Sequence, residues 1–175
     1  DEKPLAHSLD EVQVLRDAAK KHKVQTQLGN QGHSYSDIRQ ICEMVWDGAI
    51  GPVREVKIWY KNSYGNGQPR PQEKPEIPDT LNWDLWLGPA PHRPYHPTYV
   101  PGSWRSWFPF GTGVLGDWNC HIMDPAFWAL HLTAPTKITA INSGGDYDAE
   151  RFALASEIKF EFPARKNLPP VKVTW

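Results

Sequence analysis

The sequence predicts a mixed α/β fold, with helices leading and a late run of antiparallel strands. Three observations predict it. Apolar residues recur at helical spacing in three segments that carry start or stop signals. The C-terminal part alternates apolar and polar residues with a period of two. Between these lies a stretch of about fifty residues with neither pattern. At 175 residues and 20.0 kDa the chain holds one domain, or one and a fragment, at roughly 100–200 residues each.

Composition excludes several classes. Lys and Arg number 19 against 20 Asp and Glu, a formal charge of −1, which is not the basic excess of a nucleic-acid binder. With 39% hydrophobic and 22% charged residues the chain is neither disordered nor a membrane protein by composition. No apolar run approaches the roughly 18 residues of a membrane helix. The opening Asp1-Glu2-Lys3-Pro4 is not a secretory leader. Cys42 and Cys120 make neither a disulfide framework nor a metal knuckle, so no metal is expected.

The first helix starts at Ser8-Leu9-Asp10-Glu11, an S-x-x-E capping box, and places Leu9, Val12, Leu15, Ala18 and Ala19 on one face. Lys20, Lys21 and Lys23 oppose the negative end of its dipole. Val24 to Leu28 reads as a short strand and Gly29-Asn30-Gln31-Gly32 as the loop leaving it. A second helix spans about Ser36 to Asp47 on the stripe Ile38, Ile41, Cys42, Val45 and Trp46, with Gly48 as a left-handed terminator. Val53 to Tyr60 reads as a strand burying Val56, Ile58 and Tyr60.

Residues 61–110 read as a long loop excursion. The chain has nine Trp and seventeen Pro, and eleven of the prolines fall between Pro52 and Pro109. Proline at that density precludes repeating helix or strand, and the aromatic content argues that the segment packs onto the domain. Tryptophan faces also suit flat partners such as sugar rings. A third helix begins near Gly113 and runs to Trp128, broken at Pro125 unless Asp124 caps a restart. Strands follow at Thr136 to Asn142, Leu154 to Phe162 and Val171 to Trp175. Both chain ends read as cut, since neither terminal segment has an element to close it.

Gly111-Thr112-Gly113-Val114-Leu115-Gly116 matches G-x-G-x-x-G. A dinucleotide fingerprint follows a buried strand and has an acid about 20 positions on. Pro109 spoils the strand, and Pro135-Thr136-Lys137 supplies no acid, so these glycines read as a loop-to-helix junction. On the helix that follows, Asp117, His121 and Asp124 are spaced i, i+4 and i+7, on one face. A carboxylate one turn from an imidazole orients it and raises its basicity, which makes His121 a candidate general base; the same spacing also suits an ordinary surface pair. Lys3, held extended before Pro4, is a second candidate or an ordinary terminal lysine. Asn30, Gln31 and His33 lie where a strand end meets a helix, a usual ligand position in α/β proteins. Arg105, between Trp104 and Trp107, either grips a substrate hydroxyl or carboxylate, or stacks on tryptophan.

These pieces together resemble the Gfo/Idh/MocA family of NAD(P)-dependent oxidoreductases, in its bacterial branch with a Trp/Pro-rich insertion. The resemblance is carried by Glu2-Lys3-Pro4, Gly29-Asn30-Gln31-Gly32-His33-Ser34, Gly48-Ala49-Ile50-Gly51-Pro52-Val53, Trp83 through Ala90, and Gly113 through Asp124. It implies that residues 1–28 end a Rossmann nucleotide-binding domain. Residues 29–175 would be an incomplete α/β domain with an open, mainly antiparallel sheet, helices on one face, and the insertion 61–110. It implies Lys3, Asp117 and His121 as catalytic, with Asn30, His33, Trp104 and Arg105 at the substrate. Glu2, Lys3, Pro4 and Gln31 would touch NAD or NADP, bound mainly by residues preceding this chain.

The implied reaction is hydride transfer between nicotinamide and a secondary alcohol of a sugar or cyclitol. His121 would take the hydroxyl proton, Asp117 would orient it, and Lys3 would stabilise the developing alkoxide. A homo-oligomer through the open sheet, no nucleic acid, no membrane span and a soluble bacterial location, cytoplasmic or periplasmic, complete the expectation. The isolated chain is expected to be inactive and to bind NAD poorly. Two further readings remain at this stage: a glycosidase of the same superfamily working by transient oxidation and elimination, and a non-enzymatic carbohydrate-binding module.

Overall fold

The computed structural model describes residues 2–64, 69–141 and 149–175. Asp1 and the expected strand end at Asn142 lie outside the described residues. The chain forms two compact units: Asp1–Tyr60, Trp118–Asn142 and Ser156–Trp175 make one, Lys61–Asp117 and Ser143–Ala155 the other.

In the first unit, helix α1 spans Leu9–His22, and its capping box is complete. The Ser8 hydroxyl accepts from the Glu11 amide at 3.3 Å, and Glu11 Oε2 accepts from the Ser8 amide at 3.0 Å. None of its residues is buried; Leu9 is 87% exposed, so the apolar stripe read from the sequence faces no core in this unit. The expected strand Val24 to Leu28 does not form, because no neighbouring strand pairs with it among the described residues. The expected loop after it is in part a 3-10 turn, Gln31–Ser34. Helix α2 covers Ser36–Trp46 and stops where Gly48 takes a φ of +84°, as the sequence indicates.

Strand β1 is shorter than its alternation suggested, Glu55–Lys57. The third helix divides into α4, Gly113–Ile122, and α5, Asp124–Ala129; α3, Trp83–Leu87, belongs to the second unit. Pro125 sits in the first turn of α5, where its missing N–H costs nothing. The cap is Met123 rather than Asp124, and the division removes Asp124 from the helix that carries Asp117 and His121.

Strands β2 (Lys137–Ile141), β3 (Glu157–Phe162) and β4 (Val171–Thr174) complete an open sheet of order β1-β4-β3-β2. The β2–β3 and β3–β4 pairs are antiparallel and β1–β4 is parallel. Register puts Phe160 opposite Val173 and Phe162 opposite Val171, so one face is apolar. Val173, Val171 and Phe162 are at most 2% exposed, and the Phe127 ring of α5 meets Phe162 edge-on at 5.6 Å. Trp46 of α2 donates its indole N–H to the Ala129 carbonyl at 2.9 Å, tying α2 to α5. Arg165 donates to the carbonyls of Leu130, Pro163 and Pro169, fixing the β3–β4 turn against the end of α5. The other face is polar and open: Lys137 pairs with Glu161, Lys159 with Glu157, and Trp59 is 78% exposed beside them.

The second unit has short regular elements where the sequence predicts a loop without regular structure. It has a core of its own. Its α3 is capped by Asn82, whose Oδ1 accepts from the Leu85 amide at 3.0 Å, and a 3-10 turn follows at Ser103–Ser106. Trp83 stacks on Trp86 at 4.7 Å, and the rings of Tyr95, Tyr99, Trp107 and Phe110 interlock around them. Arg93, 4% exposed, lies over Tyr99, Trp107 and Phe110, a cation held by ring faces. Residues 106–108 bond 150 and 152, closing the unit.

Candidate functional site

In the first unit, a cleft of about 290 Å³ is lined by Gln31, Gly32, Tyr35, Trp118, His121 and Asp124 among others. The 3-10 turn delivers Gln31 and Gly32, α4 delivers Trp118 and His121, and the start of α5 delivers Asp124. Trp118 is wedged by a stacked Tyr60 at 4.3 Å and presents an edge to His121 at 5.9 Å. Asp124 also holds His33: its Oδ2 lies 2.9 Å from Nδ1, while the imidazole stacks on Trp128 at 4.2 Å. Asn30 accepts the His33 amide through its carbonyl, and its buried Oδ1 has no donor among the described residues.

The structure thus gathers His121 and Gln31 around one cleft, and links His33 and Asn30 to it through Asp124 and the turn. Gly32, Tyr35 and Trp118 were not singled out from the sequence. Nothing in the spacing of Tyr35 or Trp118 separates them from core aromatics; only the fold puts them beside an imidazole. Lys3 is half-buried and Glu2 and Pro4 are exposed, ahead of α1 in the same unit, and the Lys3–Pro4 peptide bond is cis.

In the second unit Asp117 accepts the Tyr64 hydroxyl at Oδ2, and Arg105 Nε lies 3.4 Å from the same oxygen. The Arg105 guanidinium is 4.4 Å from the Trp104 ring centroid and 5.5 Å from that of Tyr64. Arg105 and Trp104 are therefore joined to Asp117. Along the register of α4, Asp117 and His121 are four residues apart.

Two other groups are excluded as chemistry. Cys42 is fully buried; burial, and then the charges of Asp124 and Glu43, push its thiol up, so it stays protonated and unreactive. Among the described residues no cluster of His, Cys, Asp or Glu could hold a metal ion.

The glycine-rich run is packed closely against the protein's own atoms. A Cβ on Gly111 would lie 2.6 Å from the Arg105 Cα, one on Gly113 would lie 2.7 Å from the Phe152 ring, and one on Gly116 would lie 2.4 Å from Thr112 Cβ. Close packing of the chain on itself therefore leaves no room for a side chain at these three positions. Gly111→Ala is accordingly expected to cost about 1–3 kcal/mol by overpacking against backbone, read as a lower urea midpoint. Millimolar NAD⁺ is expected to leave the melting temperature of the wild-type chain unchanged; a rise would restore this loop as a cofactor site.

A family model described as "Oxidoreductase family, C-terminal alpha/beta domain" of Gfo/Idh/MocA matches residues 37–162. The chain belongs to this family. Its C-terminal-domain assignment agrees with the open sheet and one-sided helices of the first unit. Among solved structures it is similar to two super-repressor mutants of Gal80p from Saccharomyces cerevisiae. One has a TM-score of 0.58 at 16% identity, the other 0.55 at 18%; each alignment covers 99% of this chain and 40% of Gal80p. That likeness shows a shared fold, and the chain spans two fifths of the length of those proteins. A search of curated proteins returned no match. No helix among the described residues is long and apolar enough to cross a membrane.

Proposed function

We propose that this chain is the substrate-side domain of an NAD(P)-dependent oxidoreductase acting on a secondary alcohol of a sugar or cyclitol. The observation that carries the reading is the cleft that holds His121 with the Gln31 amide, the Asp124 carboxylate and the Tyr35 and Trp118 rings. Aromatic faces suit the C–H faces of a polyol ring, and the amide and carboxylate suit its hydroxyls. His121 serves as the base that takes the hydroxyl proton, and the Asp117 carboxylate one helical turn away orients it. The ammonium of Lys3 stabilises the alkoxide as it forms. Asn30 and His33, at the 3-10 turn, complete the hydroxyl contacts.

NAD(P), when bound, supplies the hydride acceptor. Glu2, Lys3, Pro4 and Gln31 would be the residues of this chain that hold it, with the rest of its contacts supplied by residues preceding this chain. The polar sheet face with exposed Trp59 serves as the contact between copies of the chain.

A second reading follows from the likeness to a repressor: the fold without turnover, used to bind a sugar. One experiment separates the readings. The full-length oxidoreductase that contains this chain is incubated with NAD⁺ or NADP⁺ and a panel of D-glucose, D-galactose, myo-inositol and their methyl glycosides. Reduction of the nucleotide by a free polyol supports the dehydrogenase. Release of sugar from a glycoside without net reduction supports the oxidation–elimination glycosidase. Calorimetric binding without either reaction supports the binding protein.

A further inference from the structure

Asp117 stands at the end of the second unit and is contacted there by two side chains of the Trp/Pro-rich insertion. The Tyr64 hydroxyl donates to its Oδ2, and Arg105 Nε approaches the same oxygen at 3.4 Å. The arginine is itself fixed by two ring faces, Trp104 at 4.4 Å and Tyr64 at 5.5 Å. Asp117 is 17% exposed at its side chain and Arg105 35%, so the pair is partly withdrawn from solvent screening.

From this geometry we infer that Tyr64 and Arg105 are positioning residues: the insertion clamps one oxygen of Asp117 and so fixes the carboxylate proposed above to orient His121. The inference rests on the proposed role of Asp117 and extends it to residues the insertion alone provides. A phenol and a guanidinium converging on one oxygen restrict the rotation of the carboxylate. An orienting group held to a fraction of an ångström keeps its effect on the base; misplacement by 1 Å costs on the order of 10²-fold in rate. Arg105 thereby acquires a different role from a direct grip on substrate, since its Nε is directed to Asp117. Tyr64 has no sequence signal that sets it apart from the other tyrosines; it is found only because the insertion folds back onto the start of α4.

Two measurements test this. In the 175-residue chain, Tyr64→Phe and Asp117→Asn are combined in a thermal-unfolding double-mutant cycle. The double variant is expected to lose clearly less melting temperature than the sum of the single losses. Additive losses would overturn the clamp.

In the full-length oxidoreductase, with the polyol of the panel that gives the highest turnover, Tyr64→Phe and Arg105→Gln are expected to lower kcat ten- to a hundredfold at nearly constant KM. Arg105→Lys should recover part of that loss. A raised KM at constant kcat would assign Arg105 to the substrate and overturn the inference, as would wild-type kinetics in both variants. Asp117→Asn separates this failure from that of the functional reading. If it abolishes turnover while Tyr64→Phe is silent, only the clamp is wrong. If Asp117→Asn is itself silent, the role proposed for Asp117 is wrong.

Discussion

Trp83→Ala is expected to destabilise the insertion unit by about 4 kcal/mol. Trp83 is 4% exposed and stacks on Trp86; the Tyr95 ring meets it edge-on, and the Tyr99 ring lies nearly parallel at 6.1 Å. Its indole N–H donates to the Arg93 carbonyl at 2.7 Å. Truncation removes the ring at the centre of the cluster, leaves a cavity between rigid neighbours, and strands a buried carbonyl, which adds roughly 1 kcal/mol. Leu85, on the same short helix and 79% exposed, is the control: Leu85→Ala should stay within about 0.5 kcal/mol. Urea unfolding followed by tryptophan fluorescence reads both. A Trp83→Ala loss below about 1 kcal/mol would mean that the aromatic cluster does not hold the unit together.

On the proposed function, His121→Ala is expected to lower kcat of the protein containing this chain by about 10²- to 10⁴-fold, the range that a positioned general base supplies. His121 is half-buried, at the wall of a cleft rather than in a core, so the fold should survive its removal. Circular dichroism of the variant should overlay on that of wild type. A loss confined to kcat and kcat/KM in equal measure marks an interaction made in the transition state, whereas a rise in KM alone would make His121 a binding group. Unchanged turnover would remove it from the mechanism.

The features legible in the sequence have local causes. The Ser8–Glu11 capping box, the Gly48 terminator and the helix break at Pro125 each depend on atoms within a few residues of one another, and each is found in the structure. Ile158, Phe160 and Phe162 alternate because the pleat alternates, so β3 was readable from its own residues. The miss at Val24 to Leu28 has the opposite cause: a strand exists only when another strand takes up its backbone groups. Asp124 was placed on the right surface for the wrong reason. The helix face that predicted it ends at Ile122, and α5 brings its carboxylate to the cleft instead.

By its own pattern, then, the chain declares helix ends, strand faces, a glycine run at a loop-to-helix junction, and the motif set that marks its family. Those features are written in short-range sterics and hydrogen bonding, which need no knowledge of distant partners. The parallel pairing of β1 with β4, the separate aromatic core around Trp83, the His33–Asp124 pair and the Tyr64–Arg105 grip on Asp117 were decided only in three dimensions. Each reaches beyond a single local element, and packing selects such contacts through shape and burial, which no window along a sequence contains.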